Sequence, residues 1–447
     1  MSVVIEDTIF ALATPNGRSG VAVIRASGPA SWGGVKALIN NDIIPRQAQL
    51  CALKNPQTKD IIDHALVLGF KAPASFTGED VVEYHVHGGA AVIAEMLDVL
   101  GALEHHRMAE PGEFTKRAFV NDKMDLTGAE AIADLIDATT QAQKAQALAQ
   151  MGGALSDLYA GWTETLKKAL AHMEADLEFP DEDLPEGVAP QILPVVQELI
   201  DGISDHLDDN RRGERLRDGI HVAVIGAPNA GKSSLINMLS QRDVAIVSDM
   251  AGTTRDIIDV HLDLGGYPVI LSDTAGLRPD QIGGEGHDAI ESEGIRRALK
   301  RAEEADIKLL LFDGALPELD GHTIDLFDDN ALVIINKIDT GRIVKTDKPV
   351  IEISAETGWG INALINALVE KAQNLVGQGE APSLTRTRHR VALEECRDAL
   401  LRAQGASLPE LMAEDMRLAI RAVGRITGKV DVEDLLDVIF RDFCIGK

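Results

Sequence analysis

Residues 226–233 form a glycine-rich segment whose pattern is typical of loops that bind phosphate groups. The segment reads Gly226-Ala227-Pro228-Asn229-Ala230-Gly231-Lys232-Ser233, which matches G-x-x-x-x-G-K-S and follows a predicted strand over 221–225. Glycines allow successive backbone N–H groups to face phosphates at the beginning of a helix. Lys232 is then expected to reach the β- and γ-phosphates, and the Ser233 hydroxyl to bind Mg²⁺ ahead of a helix over Ser234–Ser240.

Two further segments are expected to respond to the phosphates. Asp273-Thr274-Ala275-Gly276 follows a predicted strand, so Asp273 would hold Mg²⁺, directly or through water, and the Gly276 N–H would sense the γ-phosphate. Ser248-Asp249-Met250-Ala251-Gly252-Thr253-Thr254 lies between the first helix and the second strand, in the position of a switch loop. Thr254 would complete the Mg²⁺ coordination when a γ-phosphate is present.

The base of the nucleotide is predicted from two more strand ends. Asn336-Lys337-Ile338-Asp339 follows the apolar run 332–335, and Ser354-Ala355-Glu356 follows the run 350–353. A carboxylate such as Asp339 accepts hydrogen bonds from the N1–H and the exocyclic amine of guanine. Adenine lacks these donors and would leave the carboxylate unpaired, at a cost of roughly 1–3 kcal/mol. With the phosphate loop and Asp273–Gly276, these are four segments in the expected order, each after a predicted strand, and together they predict a site for a guanine nucleotide.

Leu277 stands where many GTPases have a glutamine that orients the attacking water. A leucine cannot form that hydrogen bond, so either hydrolysis is slow or another polar group takes this role. Asn229 could help to hold a monovalent cation beside the phosphates, where it would neutralise developing charge. A downstream carboxylate could instead position the water, and the candidates are Glu285, Glu291 and Glu293.

Charge and length limit the classes of protein that fit. The chain has 447 residues, with 43 Lys and Arg against 71 Asp and Glu, which gives a net charge of −28. This charge excludes a protein that coats nucleic acids without specificity. No apolar stretch approaches the roughly 18 residues of a membrane-spanning helix. The three cysteines, Cys51, Cys396 and Cys444, lack metal-ligand spacing, so we expect a protein of the reducing cytoplasm.

The pattern of apolar residues divides the chain into four segments. Residues 1–120 mix short strands with turns and predict an α+β module, whereas 121–215 and 379–447 have helical spacing. In residues 216–378, buried strands alternate with helices, which is typical of a doubly wound α/β sheet with parallel strands. Prolines at 180, 185, 190 and 194 are expected to interrupt the first helical segment. We therefore expect an α/β domain inserted into a helical domain.

The whole chain resembles the TrmE (MnmE) family of tRNA-modification GTPases. Within the nucleotide domain the resemblance depends on the phosphate loop, on Gly252–Asp256 and on Asp273–Leu277. Outside it, the matching motifs are Ala13-Thr14-Pro15, Gly20–Arg25, Phe76–Asp80, His87-Gly88-Gly89, Pro111–Phe114, Arg117-Ala118-Phe119, Asn121-Asp122-Lys123, Asp125-Leu126, Ala129–Ala138 and the C-terminal Phe443-Cys444-Ile445-Gly446-Lys447.

This resemblance implies a homodimer that works with an FAD-dependent partner, MnmG, and whose first 120 residues mediate dimerisation. The pair would add a carboxymethylaminomethyl group to C5 of the wobble uridine of certain tRNAs, with a one-carbon unit from 5,10-methylene- or 5-formyltetrahydrofolate. The resemblance also implies that the GTPase domains dimerise and that K⁺ accelerates hydrolysis.

The resemblance further implies roles for particular residues. K⁺ would be held by Asn229, Ser248, Met250 (through its backbone carbonyl) and Thr253, and Mg²⁺ by Ser233 and Thr254. Glu291 becomes the water-positioning carboxylate, because it precedes Gly294-Ile295-Arg296-Arg297 by three residues. Folate would bind through Arg25, Glu83 and Lys123, with Lys447 nearby.

The sequence is compatible with two alternatives each for the function, for Cys444 and for a series of arginines. A ribosome-assembly GTPase that binds rRNA is the alternative function, although the chain has no appended basic domain. Cys444 could be a buried thiol or a reactive one. Arg417, Arg421 and Arg425 recur every four residues, which gives a basic helix face that either is solvated beside acidic neighbours or contacts tRNA or an acidic partner.

Overall fold

The computed structural model describes residues 7–39, 41–178, 189–242, 244–246, 259–273, 304–341, 344–377 and 382–430, together with residues 436, 439–441, 443, 445 and 446. The chain forms two compact units. The first consists of Met1–Ala133, Met151–Glu182 and Leu408–Lys447, and the second of Asp134–Gln150 and Asp183–Ser407. The four segments expected from the sequence remain a prediction.

The first unit contains a six-stranded, mostly antiparallel sheet. Its strand order is β3-β4-β5-β2-β1-β6, and β1 and β6 are the one parallel pair. The strands are β1 (Thr8–Leu12), β2 (Ser19–Ser27), β3 (Gln49–Lys54), β4 (Ile61–Phe70), β5 (Val81–Gly88) and β6 (His106–Met108).

One face of this sheet carries the core. In β5, Val82, Tyr84 and Val86 are buried, whereas Glu83 and His85 alternate with them on the other face. The buried residues pack with α1 (Ser31–Leu38) and α2 (Ala90–Gly101). Strands and helices thus alternate in this part of the first unit, and polar strand residues point away from its core.

Helices make up the rest of the first unit. α6 (Ala154–Glu178) packs along α13 (Pro409–Thr427). α13 begins with proline in its first turn, where a missing N–H costs nothing, and ends at Gly428, whose φ is +83°. α3 (Glu113–Val120) also belongs to this unit, α4 (Leu126–Asp137) begins in it and ends in the second unit, and α5 (Gln141–Met151) lies in the second unit except for Met151.

The second unit is built on a doubly wound sheet with the order β12-β11-β10-β7-β9-β8. Five strands are parallel, as predicted: β7 (Ile220–Ile225), β9 (Tyr267–Asp273), β10 (Ile307–Asp313), β11 (Ala331–Asn336) and β12 (Val350–Glu352). A sixth strand, β8 (Asp259–Leu264), was not predicted from the sequence and pairs antiparallel with β9. Gly265 and Gly266, both with positive φ, form the two-residue turn that permits this pairing.

The described helices of this unit lie before, between and after the strands. Besides α5, they are α7 (Ala189–Leu207), α8 (Arg212–Asp218), α9 (Lys232–Ser240), α10 (Gly321–Ile324), α11 (Ile361–Val376) and α12 (Thr387–Gly405), with a 3₁₀ turn over Ile338–Thr340.

The predicted helix break at Pro194 was wrong, since α7 continues through it, whereas Pro190 lies at the beginning of this helix. Pro190 lies in the first turn, where the N–H has no partner within the helix, and Pro194 is exposed, so that its ring faces solvent. Pro180 and Pro185 lie outside the described residues. Among the residues that the structure describes, no helix has both the length and the apolar character needed to cross a bilayer.

Candidate functional site

The predicted nucleotide motifs converge on one edge of the doubly wound sheet. Parallel strands end at the same edge, and β7, β9 and β11 lead into the three loops that the sequence singled out. In the paired strands, Val224 of β7 lies opposite Asp273 of β9, and Asp313 of β10 lies opposite Asn336 of β11. The motifs that are far apart in the chain are thus neighbours in space.

The phosphate loop runs from the end of β7 to the beginning of α9. Asn229 and Gly231 both have left-handed backbone conformations, with φ of +63° and +101°. A side chain at Gly226 would come within 2.3 Å of the Leu311 carbonyl oxygen, and one at Gly231 within 2.2 Å of the Asn336 amide. These two glycines are required because the loop passes directly against its neighbours.

Lys232 and Ser233 occupy the first turn of α9, where backbone N–H groups face an anion. The Lys232 ammonium folds back over the loop and donates to the carbonyl oxygens of Gly226 and Ala227, at 2.7 and 3.0 Å. Ser233 and Ser234 are exposed at this helix end. A tight loop, a cation within it and an accessible hydroxyl fit a nucleotide phosphate with Mg²⁺.

Asn336 joins three loops of this edge. Its side chain is 1% exposed; its Nδ2 donates to the carbonyl oxygen of Ala230 at 2.8 Å, and its Oδ1 accepts from the Ala355 N–H at 2.9 Å. The phosphate loop, the Asn-Lys-x-Asp segment and the Ser-Ala-Glu segment are therefore held by one buried amide. The sequence placed Asn336 in the site but did not indicate this role.

The loops predicted to bind the guanine base are accessible. Asp339 is exposed on the 3₁₀ turn Ile338–Thr340, and Lys337 begins that turn with φ of +61°. Ser354 is buried, and its Oγ accepts from the N–H of Thr357, which shapes the neighbouring loop. Glu356 is exposed. An unburied carboxylate beside a rigid loop can accept hydrogen bonds from a guanine edge.

Other residues predicted for this site lie outside the described residues, and for Asp273 this holds for the side chain only. They are Ser248, Asp249, Met250, Ala251, Gly252, Thr253, Thr254, the side chain of Asp273, Thr274, Ala275, Gly276, Leu277, Glu285, Glu291 and Glu293.

The first unit brings together two of the residues predicted for folate. Arg25 of β2 lies opposite Glu83 of β5, and its Nε donates to Glu83 Oε1 at 3.0 Å. The guanidinium group also lies 5.6 Å from the ring centre of Phe76 and 5.8 Å from that of Phe114. The resemblance motifs contained both rings, but the sequence alone did not reveal that they flank Arg25.

The other two residues predicted to bind folate are Lys123 and Lys447. Lys123 is exposed, packs against the position of Gly78 and donates to the carbonyl oxygen of Pro73 at 3.0 Å. Lys447 and Cys444 lie outside the described residues, but Gly446 passes so close to Leu12 that a side chain would come within 2.2 Å of its carbonyl oxygen. Leu12 follows Ala11, the residue that pairs with Arg25.

A buried ion network supports the same region. Arg117 is 4% exposed and contacts Asp7, Glu79 and Glu113, at 2.8, 3.2 and 3.0 Å. Burial alone would raise the pKa of Glu113, but hydrogen bonds from Arg107, from the Glu110 N–H and from Arg117 hold that pKa below its ordinary value. The network connects the residue before β1, the loop before β5 and α3 through charged side chains that are distant in the sequence.

The basic face of α13 is partly neutralised. Arg417 donates to Glu174 at 2.7 Å and to Glu414 at 3.0 Å. Arg417 therefore has the acidic neighbours that the sequence predicted for a solvated helix face, and Arg421 is exposed.

A doubly wound sheet with a glycine-rich phosphate loop after β7 and an Asn-Lys-x-Asp segment after β11 defines the class of P-loop GTPases. A family model described as the MnmE helical domain matches residues 126–444, and one described as the GTP-binding protein TrmE N-terminus matches residues 8–123. The chain belongs to the TrmE (MnmE) family of tRNA-modification GTPases, and it is a GTPase.

Full-length relatives agree with this assignment. The tRNA modification GTPase MnmE of Parvibaculum lavamentivorans is 53% identical over 99% of this chain and 100% of its own, and that of Rhodospirillum rubrum is 51% identical over 99% of both. The mitochondrial 5-taurinomethyluridine-[tRNA] synthase subunit GTPB3 of Danio rerio is 44% identical over 99% of this chain and 93% of its own.

Proposed function

We propose that this GTPase binds GTP at the carboxyl edge of its parallel sheet and couples GTP hydrolysis to the modification of a tRNA uridine. The observation that carries the nucleotide part is the position of Asn336, which holds the phosphate loop and both base-side loops together. Asp339 would accept from guanine, and Lys232 would exchange its loop carbonyls for phosphate oxygens.

The metal-binding part of the proposal depends on two hydroxyls. Ser233, at the head of α9, and Thr254, which lies outside the described residues, would hold Mg²⁺. The ion would neutralise charge on the β- and γ-phosphates. Asn229, exposed in its left-handed loop position, would offer its amide oxygen to K⁺, together with Ser248, Met250 and Thr253.

Hydrolysis would use a carboxylate in place of the missing glutamine. Leu277 cannot hydrogen-bond water, so we assign the orientation of the attacking water to Glu291. Its role in this proposal comes from family resemblance, since Glu291 lies outside the described residues.

The first unit would bind a tetrahydrofolate one-carbon donor. A folate has a pterin edge rich in N–H groups and a glutamate tail, so it needs an oriented carboxylate and nearby cations. The described residues fit: Glu83 is held in place by Arg25, aromatic rings lie beside the guanidinium group, and Lys123 presents an exposed ammonium. The C-terminal Lys447 would join them, because Gly446 lies against Leu12.

A homodimer through the first unit is consistent with its exposed sheet face. Leu50 and Leu66 lie opposite each other on β3 and β4 and are 73% and 46% exposed. Val21, at 56% exposure, adds a third apolar side chain on β2. Burial of such side chains against a second copy would be favourable.

The tRNA chemistry comes from the relatives. Two are named tRNA modification GTPases, and one is a subunit of a synthase that makes 5-taurinomethyluridine in tRNA. We propose that this chain, with an FAD-dependent MnmG partner, installs a carboxymethylaminomethyl group at C5 of the wobble uridine of certain tRNAs, in the cytoplasm.

Nucleoside mass spectrometry tests this function directly. A deletion strain should lose the modified wobble uridine, and the wild-type gene should restore it, whereas Asn336→Ala should not. Lys36→Ala, which removes an exposed ion pair with Asp42, is the matched control and should restore it fully. Unchanged nucleosides in the deletion strain would refute the modification and favour a GTPase that acts in ribosome assembly.

A further inference from the structure

We propose that Asp313 is a positioning residue for nucleotide binding, which acts by fixing Lys337 between the phosphate-loop side and the guanine side of the site. This inference rests on the proposed contact of Asn336–Asp339 with guanine. Asp313 is the last residue of β10, the strand between β7 and β11, and it belongs to none of the sequence motifs considered above.

The ends of β10 and β11 are joined twice. Asp313 lies opposite Asn336 in the parallel register, and the Gly314 N–H donates to the Asn336 carbonyl oxygen at 2.8 Å. A Cβ at position 314 would lie only 2.8 Å from that oxygen, so the close approach requires glycine. The second connection is the ion pair in which Lys337 Nζ donates to Asp313 Oδ2 at 2.7 Å.

The Asp313 carboxylate is oriented before it meets the lysine. Its Oδ1 accepts from the Ala315 N–H at 3.0 Å, which leaves Oδ2 directed to Lys337. Burial opposes ionisation, but the hydrogen bonds from Lys337 and Ala315 and the lysine charge keep the pKa of Asp313 below its ordinary value. The carboxylate is therefore ionised at neutral pH, and the ion pair is formed.

Lys337 is the residue whose geometry needs this support. Its φ of +61° is unfavourable for a residue with a side chain. It directly follows the buried Asn336 and begins the 3₁₀ turn that carries Asp339. If Lys337 relaxed to a common backbone conformation, Asn336 and Asp339 would lose their relative orientation, and both sides of the nucleotide would be bound less well.

The test compares Asp313→Ala with a matched variant, Asp328→Ala, whose carboxylate pairs with a lysine of the same strand. Asp328 pairs with Lys308 near the other end of β10, at 2.6 Å, and its Oδ1 also accepts a backbone N–H, from Asn330. Asp328→Ala thus removes the same kind of ion pair and turn contact away from the nucleotide edge. The measurements are dissociation of a fluorescent GDP analogue by stopped flow and steady-state GTPase kinetics on the full-length chain.

Asp313→Ala should release the GDP analogue about tenfold faster and raise KM for GTP by a similar factor, because a partly buried charged hydrogen bond is lost. The kcat at saturating GTP should stay within about twofold, and Asp313→Glu should recover part of the affinity. Asp328→Ala should leave dissociation and KM unchanged. Equal nucleotide affinity in Asp313→Ala and Asp328→Ala would overturn the proposal.

A second experiment distinguishes an error in the role of Asp313 from an error in the proposed guanine contact of Asp339. Asp339→Asn should shift preference from GTP towards xanthosine triphosphate, whatever Asp313 does. If Asp339→Asn changes selectivity and Asp313→Ala leaves KM and dissociation unaltered, only the role of Asp313 is wrong. If Asp339→Asn leaves GTP selectivity intact, the guanine contact itself is misassigned, and the proposed role of Asp313 falls with it.

Discussion

The side-chain amide of Asn336 donates to the carbonyl oxygen of Ala230, a residue 106 positions earlier in the chain, over 2.8 Å. The same side chain accepts from the Ala355 N–H. Three loops that come from separate strands thus depend on one buried residue. The first prediction follows from this arrangement.

Asn336→Ala should weaken GTP and GDP binding by at least about 30-fold, because two buried backbone groups lose their partner at about 1–3 kcal/mol each. Equilibrium titration with a fluorescent nucleotide measures the loss. Asn362→Ala is the control: Asn362 is exposed and accepts a hydrogen bond from Arg242, and its removal should leave affinity unchanged. Wild-type affinity in Asn336→Ala would show that the loops are held by other contacts.

Asn229 provides a prediction about the monovalent ion. If its amide oxygen helps to hold K⁺ beside the phosphates, GTP turnover should be at least about tenfold faster in K⁺ than in Na⁺, and Asn229→Ala should abolish the difference. Initial rates in matched chloride buffers measure this. Asn330→Ala changes another exposed amide of the same unit and should keep the K⁺ stimulation. Equal wild-type rates in both salts would contradict the assigned role.

Glu291 is predicted to position the attacking water. Glu291→Ala should lower kcat by about 100-fold or more, with GTP affinity retained, because a group that acts on the water contributes mainly in the transition state. Single-turnover hydrolysis with measured nucleotide binding separates the two effects. Glu285→Ala is the paired variant, and a large loss of kcat there instead of at Glu291 would show that the assignment by resemblance is displaced along the chain.

Arg25 provides a prediction for the first unit. Arg25→Ala should abolish binding of 5-formyltetrahydrofolate in calorimetry, because the substitution removes a cation and frees Glu83 from its fixed position. Lys36→Ala, a change at an exposed ion pair of the same unit, should bind normally. Persistent binding in Arg25→Ala would remove this residue from the proposed folate site.

The Glu113 network predicts a dependence of stability on pH. The pKa of Glu113 is lowered in the folded state, so its stabilising contribution is complete above the ordinary value and is lost as the pH falls through the folded pKa. Glu113→Gln should destabilise the region by about 1–3 kcal/mol at neutral pH, because charged hydrogen bonds to Arg107 and Arg117 are weakened while Arg117 keeps Asp7 and Glu79 as partners. The variant should also show a shallower loss of stability below about pH 4.5.

Hydrogen exchange of the α3 amides in the full-length chain measures the effect of Glu113→Gln. Glu104→Gln is the control, since Glu104 is exposed on the surface of the same unit. Identical pH profiles for α3 in the wild type and in Glu113→Gln would show that this network does not control the stability of the region.

Local patterns predicted much of the second unit. The phosphate loop was recognised because its glycines, lysine and serine act at a fixed short spacing, and the five parallel strands are continuous apolar runs. β8 was missed because its buried residues, Leu262 and Leu264, alternate with polar ones. A helix break was wrongly predicted at Pro194, because the sequence around a proline does not show whether its ring will face solvent in the folded chain.

The amino-acid sequence by itself determined the reaction class and the family and predicted the residues that take part, because these depend on side-chain chemistry and on spacings of a few residues. Only the tertiary structure decided that Arg25 pairs with Glu83, 58 positions away, and that Asp313 pairs with Lys337, 24 positions away. Such pairs depend on strand order and register, which arise from burial of the whole sheet and leave no local signal at either residue.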